Sequence, residues 1–383
     1  MTSTSTCDNA KKAFEELIIR NHQDYGLFFE TFKHNHGVHL LGSLYDMGAT
    51  EERMRELYEK LVATYLAKMP ESKYSITEHN YQDFYGNDSA YRDLTDFFEG
   101  EVSKLGFDRA FQKYVPTLLP GLGGHIVHPL IHLGYAVEFR NDMVLAEALA
   151  FATLAYDSHG ELIDTVAFKS TSKSLTETLE QMNDDSRLND ITPEYNINTN
   201  LLKVVDETHV ECTGEYLAAW DPSFPDGKYS ERVHELSKAI TLLFLGQSSQ
   251  YRPNFFLCHL LTGLHATRSI LPQLMKKDQI RALRLMWLTT LQMHVAVRSP
   301  KVSWENISQY PTGSLSKDAT EAWVQISQAA VDSEDVLAHV IKSVRALKKL
   351  AEAYPEDDDI WKRSAKKVMD YVKNEHEWGY SFD

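Results

Sequence analysis

Apolar residues recur every three to four positions over most of the chain. This spacing predicts helices near 8–20, 36–48, 51–68, 90–104, 107–118, 129–139, 142–156, 207–219, 229–246, 253–270, 277–298, 317–330, 333–351 and 358–374. Asn141 and Asp142 suit the start of the helix MVLAEALAFATLAY, and Gly48 with Thr50 separates two early helices. Strand alternation is not sustained anywhere, and VAFKSTS (166–172) is its one weak candidate. Stretches 184–206, 220–228 and 299–316 are rich in Asp, Asn, Ser and Pro and read as irregular. None has the composition of an interdomain linker, and no repeat of fixed period is present. Helices 253–270 and 277–298 are apolar on nearly every face, which suits central helices surrounded by others. The pattern predicts one large all-α domain over 1–383, with an N-terminal helix and flexible start in 1–20.

Composition narrows the functional classes. A chain of 383 residues, 43% hydrophobic and 25% charged, can bury a sizeable core. The formal net charge of -16 argues against a nucleic-acid partner, which requires clustered Lys and Arg. No apolar run approaches the roughly 20 residues of a membrane helix, and the opening MTSTSTCDNAKK lacks the apolar region of a secretory signal. Cys7, Cys212 and Cys258 are far apart and odd in number, which fits a reducing interior better than a disulfide framework. A cytoplasmic protein is expected.

The unusual chemistry is histidine placed in apolar sequence. GLGGHIVHPLIHLGYAVEFRND (121–142) holds His125, His128 and His132. As a phosphate loop it fails, because no strand precedes it and Ile126 stands where a third glycine belongs. Pro129 favours a first helical turn, which predicts a helix starting there with His128 at its N-cap. His132, Tyr135, Ala136 and Phe139 then share a face, and a structural or a metal role remains open for the histidines.

In FKHNHGVHLLGSLYDMGA, His36, His39, Leu40, Ser43 and Met47 fall on one side of a helix. In FFLCHLLTGLHATRSI, His265 shares a face with Cys258, Leu261 and Thr262, while His259 points about a third of a turn away. His294 reads as a hydrogen-bonded core residue. In DVLAHVIKSVRALKKL the apolar stripe is Val336, Val340, Val344, Leu347 and Ala351, so periodicity alone places Lys342 in solvent beside His339. None of these apolar helices places Asp or Glu within the histidine stripes. Tyr81, Tyr85, Tyr135, Phe139, Phe255 and Trp287 are candidates to line a flat pocket, or plain core.

Several segments together resemble the questin oxidase-like family: HNHGVHLLGSLYDMGAT, YGNDSAYRDLTDFFEGEV, GLGGHIVHPLIHLGYAVE, HLLTGLHATRSILP and AHVIKSVRALKKL. HxxHPxIHLGYAxE is the most specific of them. The resemblance implies oxygen-dependent chemistry on aromatic polyketides, including Baeyer–Villiger-type opening of an anthraquinone ring without a recognisable flavin domain. It also implies a mononuclear non-haem Fe(II) centre built from histidines and a lysine carbamate. Carried onto this chain, that nominates His39, His128, His132, His265 and Lys342 as metal ligands. His36 and His339 are held in reserve and, with Tyr135, are nominated for catalytic roles. Which four of the six histidines bind stays open. NADPH use is implied by the family chemistry, yet no dinucleotide fingerprint is present. A metal-dependent hydrolase and a non-catalytic metal-binding helical protein are the alternatives that the residues alone allow.

Overall fold

The computed structural model describes residues 4–29, 33–156, 158–169, 173–191, 197–248, 252–298, 301–375 and Trp378. Its helices are α1 (Thr4–Asp24), α2 (Gly37–Asp46), α3 (Glu51–Thr64), α4 (Tyr91–Leu105), α5 (Phe107–Leu118), α6 (Gly124–Phe139), α7 (Asp142–Leu154), α8 (Leu162–Thr165) and α9 (Leu175–Asn183). They continue as α10 (Ile197–Lys203), α11 (Val210–Ala218), α12 (Ser230–Leu245), α13 (Leu257–Ile270), α14 (Lys276–Ala296), α15 (Glu305–Ser308), α16 (Ala319–Val331), α17 (His339–Ala353) and α18 (Asp358–Glu375). Among the described residues, strand pairing is limited to isolated bridges, such as Tyr25 with Lys68. The fold is all-α. No described helix is long and apolar enough to cross a membrane.

Two of the expected caps form, but His128 is not the N-cap of a helix starting at Pro129: α6 begins at Gly124, and His128 follows three left-handed residues, 125–127, already inside it. Asn141 accepts from the Val144 amide at 3.1 Å, directly after Arg140 closes α6 in a left-handed conformation. Thr50 accepts from Arg53 to start α3, and Gly48 before it has φ 87°. Other differences from the sequence reading are local, among them α15, a short helix within the stretch 299–316 read as irregular. The segment predicted as helical from 333 becomes regular only at His339, because Asp335 holds the Leu337 and Val340 amides and Ala338 is left-handed. A short helix, α10, likewise lies within 184–206, also read as irregular, and α9 starts on a Ser174–Glu177 capping box. Residues Val166–Lys169 form no strand, and 170–172 lie outside the described residues.

α13 is the central element, packed by α6, α12, α14 and α17. Almost all of it is buried, which is why no face of it is polar. α6 approaches it closely at Gly134, where an added Cβ would meet the Ala266 Cβ at 2.6 Å and its Cα at 2.8 Å. Gly134→Ala is therefore expected to force the two helices apart and destabilise the protein by about 1–3 kcal/mol. Denaturant unfolding checks this, and an unchanged midpoint would refute the tight contact.

Candidate metal centre

The histidine stripes converge. His36 caps the N-terminus of α2, His128 lies at the start of the right-handed part of α6, His259 is in the first turn of α13, and His339 opens α17. One ring nitrogen from each falls within 4.8 Å of the other three. All four residues are buried. Three of the four have a determined tautomer. The Nδ1–H of His36 donates to the His34 carbonyl (2.7 Å), that of His128 to the His125 carbonyl (2.6 Å), and that of His259 to the Phe255 carbonyl (3.0 Å). A carbonyl cannot donate, so each Nε2 is left as a bare lone pair.

The electrostatics agree. Burial, with Lys342 nearby, pushes the His36 imidazole down to about 3. Burial likewise holds His128, His259 and His339 well below the ordinary histidine range. All four are neutral bases at pH 7. The Nε2 atoms of His36 and His128 then face each other at 3.2 Å with no proton between them. The Nε2 atoms of His259 and His339 have no hydrogen-bond partner. Lone pairs so directed repel one another unless a cation sits among them. The donor set of buried imidazoles suits Fe(II), Zn(II), Cu(II) or Ni(II) and fits such an ion.

Lys342 lies beside this group and is only 2% exposed, contrary to the solvated position that periodicity gave it. The physical reason is that α17 is packed on several sides, by α2, α13, α16 and α18. Its Nζ has no hydrogen-bond partner, and burial lowers the amine to about 8.

The other nominated residues are placed as follows. His39 is fully buried with both ring nitrogens unpartnered; it lies 5.2 Å from the His36 ring and stacks on Tyr135 at 5.2 Å. His132 lies 5.3 Å from His39, and its Nε2 is joined to Glu147 at 2.9 Å. Glu147 also binds His22 Nδ1 (2.8 Å), and His22 Nε2 reaches Glu99 (2.7 Å). Burial alone would raise Glu147, but hydrogen bonds from His132 and His22 bring it down to about 2. Against its own burial, Glu147 and Glu99 raise His22 to about 9. A carboxylate does therefore meet the histidine stripes, which corrects the expectation from the helices.

His265 belongs to a different network, at the floor of an outer cleft of about 640 Å³. Its Nε2 donates to Glu138 (2.7 Å), and Arg345 lies 3.1 Å from the same nitrogen while also binding Glu138 and Asp46. Tyr135 separates that network from the histidines. Its hydroxyl pairs with Ser43 (2.6 Å), and the Arg345 guanidinium lies 5.1 Å from its ring.

The aromatic candidates do not form one pocket. Tyr81 packs with Phe97, Phe98 and Tyr114, Tyr85 stacks on Tyr156, and Trp287 meets Trp220. Phe255 alone of the six lies against the four converging histidines, 4.5 Å from His339 and 5.1 Å from His259. His294 bonds the Leu179 carbonyl at 3.0 Å as a core histidine. Sequence reasoning gave no role to His259, Glu147, His22 or His34. For His259 the available signal was a histidine on a helix apolar all round.

An all-α scaffold that gathers four neutral imidazoles at its centre defines a histidine-centred helical class of protein. The chain belongs to the Questin oxidase-like family, whose sequence pattern matches residues 33–347. Among its relatives is the Baeyer-Villiger monooxygenase dmxR6 of Cryptosporiopsis sp., 24% identical with 94% of this chain and 88% of the relative covered. The Baeyer-Villiger oxidase mdpL of Emericella nidulans is 32% identical over a shorter region, 38% of this chain and 35% of the relative.

Proposed function

We propose that this protein is an oxygen-using oxidoreductase that oxygenates or opens the ring of an aromatic, quinone-like substrate at a histidine-bound transition metal, Fe(II) by preference. The observation that carries the reading is the 3.2 Å approach of two bare Nε2 atoms, His36 and His128, beside the unpartnered Nε2 atoms of His259 and His339. The names of the relatives, Baeyer-Villiger oxidases and monooxygenases, supply the reaction class. When bound, the metal would supply oxygen activation at an open coordination position. His36, His128, His259 and His339 would hold it, with His39 and His132 behind them.

Lys342 answers the charge. Four neutral imidazoles leave a divalent ion uncompensated in a buried site, and a protonated lysine would worsen this. An amine lowered to about 8 is partly unprotonated at neutral pH. Its nitrogen can bond the carbon of CO2 and release a proton, giving a carbamate anion beside the histidines. Phe255 and Trp378, 6.3 Å apart and both against His339, offer an aromatic wall for a flat substrate. Insertion of one oxygen atom requires two electrons and two protons to release the other as water. NADPH would be the reductant, acting without a dinucleotide fingerprint in this chain.

The test is elemental analysis of protein purified without added metal, followed by an 18O2 reaction with an anthraquinone. About one equivalent of iron and one labelled oxygen in the product are expected. Full activity in chelator-treated, metal-free protein would overturn the metal, and a zinc protein that hydrolyses esters would overturn the reaction class.

Lys342→Met is expected to separate stability from activity. Removing a buried, unpartnered amine in favour of an apolar side chain of similar length should leave the melting temperature unchanged or raise it. Oxygen consumption should collapse, as it should in Lys342→Arg, whose permanent charge cannot become a carbamate. Full activity in either variant would remove the lysine from the centre.

A further inference from the structure

The backbone at His125, Ile126 and Val127 is left-handed, with φ of 45°, 56° and 55°. Three such residues in a row, two of them β-branched, are strained, and such strain persists only where the surroundings hold it. This turn delivers one contact to the centre: it aims the His125 carbonyl at His128 Nδ1 (2.6 Å) instead of along the helix. The His34 carbonyl does the same for His36 Nδ1 at 2.7 Å. The side chains of the residues that supply these two carbonyls are bonded to each other, His34 Nε2 to His125 Nδ1 at 2.9 Å. Phe28 and Phe151 pack around both rings, with Phe151 5.0 Å from His34 and 6.0 Å from His125.

The contacts form a closed ring. It runs from the His34 side chain to the His125 side chain, from the His125 carbonyl to His128, across the 3.2 Å gap to His36, and back to the His34 carbonyl. We propose that His34 and His125 are a positioning pair, a clasp whose single side-chain bond fixes the two carbonyls that orient His36 and His128 toward a shared metal ion. The clasp rests on the metal reading above, and it adds two residues that touch neither the ion nor the substrate. Its effect is on the aim of two imidazoles, not on the number of ligands.

The probe is Co(II) titrated into metal-free protein and followed by its visible absorption, whose intensity and position report coordination geometry. His34→Ala and His125→Ala are each expected to weaken Co(II) binding by about 10–100-fold and shift the spectrum, with helical circular dichroism retained. The double alanine variant should bind about as weakly as either single one, because both substitutions break the same bond. His34→Gln and His125→Asn place an amide where the bonded ring nitrogen stood, so they should recover most of the affinity and the wild-type spectrum. These conservative variants also keep the test informative if an alanine variant fails to fold. Wild-type affinity in both alanine variants would overturn the clasp and leave the metal reading standing. Fully additive losses, or Gln and Asn variants no better than alanine, would do the same. A wild-type protein that binds no Co(II) would overturn both.

Discussion

Purified His259→Ala protein is expected to carry almost no metal, with affinity reduced at least ~100-fold, while its helical content stays at the wild-type level. The magnitude follows from the position of the side chain: it is fully buried, its Nδ1 is tied to the Phe255 carbonyl, and its Nε2 points into the group with no other partner. Even residues that only orient a ligand are worth about 10–100-fold, so the ligand itself is worth more. His265→Ala is the control on the same helix. It removes a contact with Glu138 and a neighbour of Arg345, both in the outer network, so it should lower stability and leave metal content intact. Metal analysis of the two variants decides the matter. Retention in His259→Ala, or loss in His265→Ala, would reverse the assignment.

The second large effect is acid lability of the metal-free protein. His36, His128, His259 and His339 are neutral in the fold, with pKa values depressed from 6.5, in the case of His36 to about 3. Below pH 6.5 the unfolded chain takes up protons that the fold refuses, so this stability is present above 6.5 and is lost as pH falls. Each histidine costs about 1.4 kcal/mol per pH unit, and four cost up to about 5 kcal/mol per unit. That is as large as the whole stability of many domains. His22 acts in the other direction. Raised to about 9 by Glu147 and Glu99, it contributes fully below pH 6.5 and loses that contribution as pH rises through 9. Glu147, lowered to about 2, contributes above 4.5 and weakens only as pH falls through that range. Maximum stability is therefore expected near neutral pH, with a steep loss between 6.5 and 5.5. Melting curves of chelator-treated protein across pH 5–9 check this, and a flat profile down to pH 5 would show that the imidazoles are not buried as neutral bases.

Most of the architecture was legible because amphipathic helices such as α4, α5 and α18 carry a plain 3.6-residue period. The histidine stripes of α2, α6 and α17 were visible for the same reason. What periodicity could not provide was the inner surface of a helix with no solvent side. Lys342 faces away from the Val340–Val344–Leu347 stripe, and the rule assigns such a face to water; here other helices cover it. On α13 every face is apolar, so periodicity did not separate His259 from His265; the family resemblance nominated His265, whereas the structure groups His259 with His36, His128 and His339. Glu147 was hidden by its setting, the one acid inside the apolar run MVLAEALAFATL, where nothing in the sequence shows its partners; the structure places His22 and His132 on either side of it. The left-handed turn was beyond reach, since Ile126 and Val127 are among the residues least suited to it.

The four imidazoles are drawn from α2, α6, α13 and α17, and His36 and His128 alone are 92 residues apart in sequence. During synthesis on the ribosome, the amino-terminal pair emerges first and His339 last. No partial chain therefore holds the full set, and an ion captured early would meet two imidazoles and be readily lost. Under the metal reading proposed above, loading would wait until α17 has docked. The newly made protein would then pass through a folded, metal-free stage in which the repulsion among bare nitrogens is unrelieved. At that stage its survival would depend on the pH and metal supply of its surroundings.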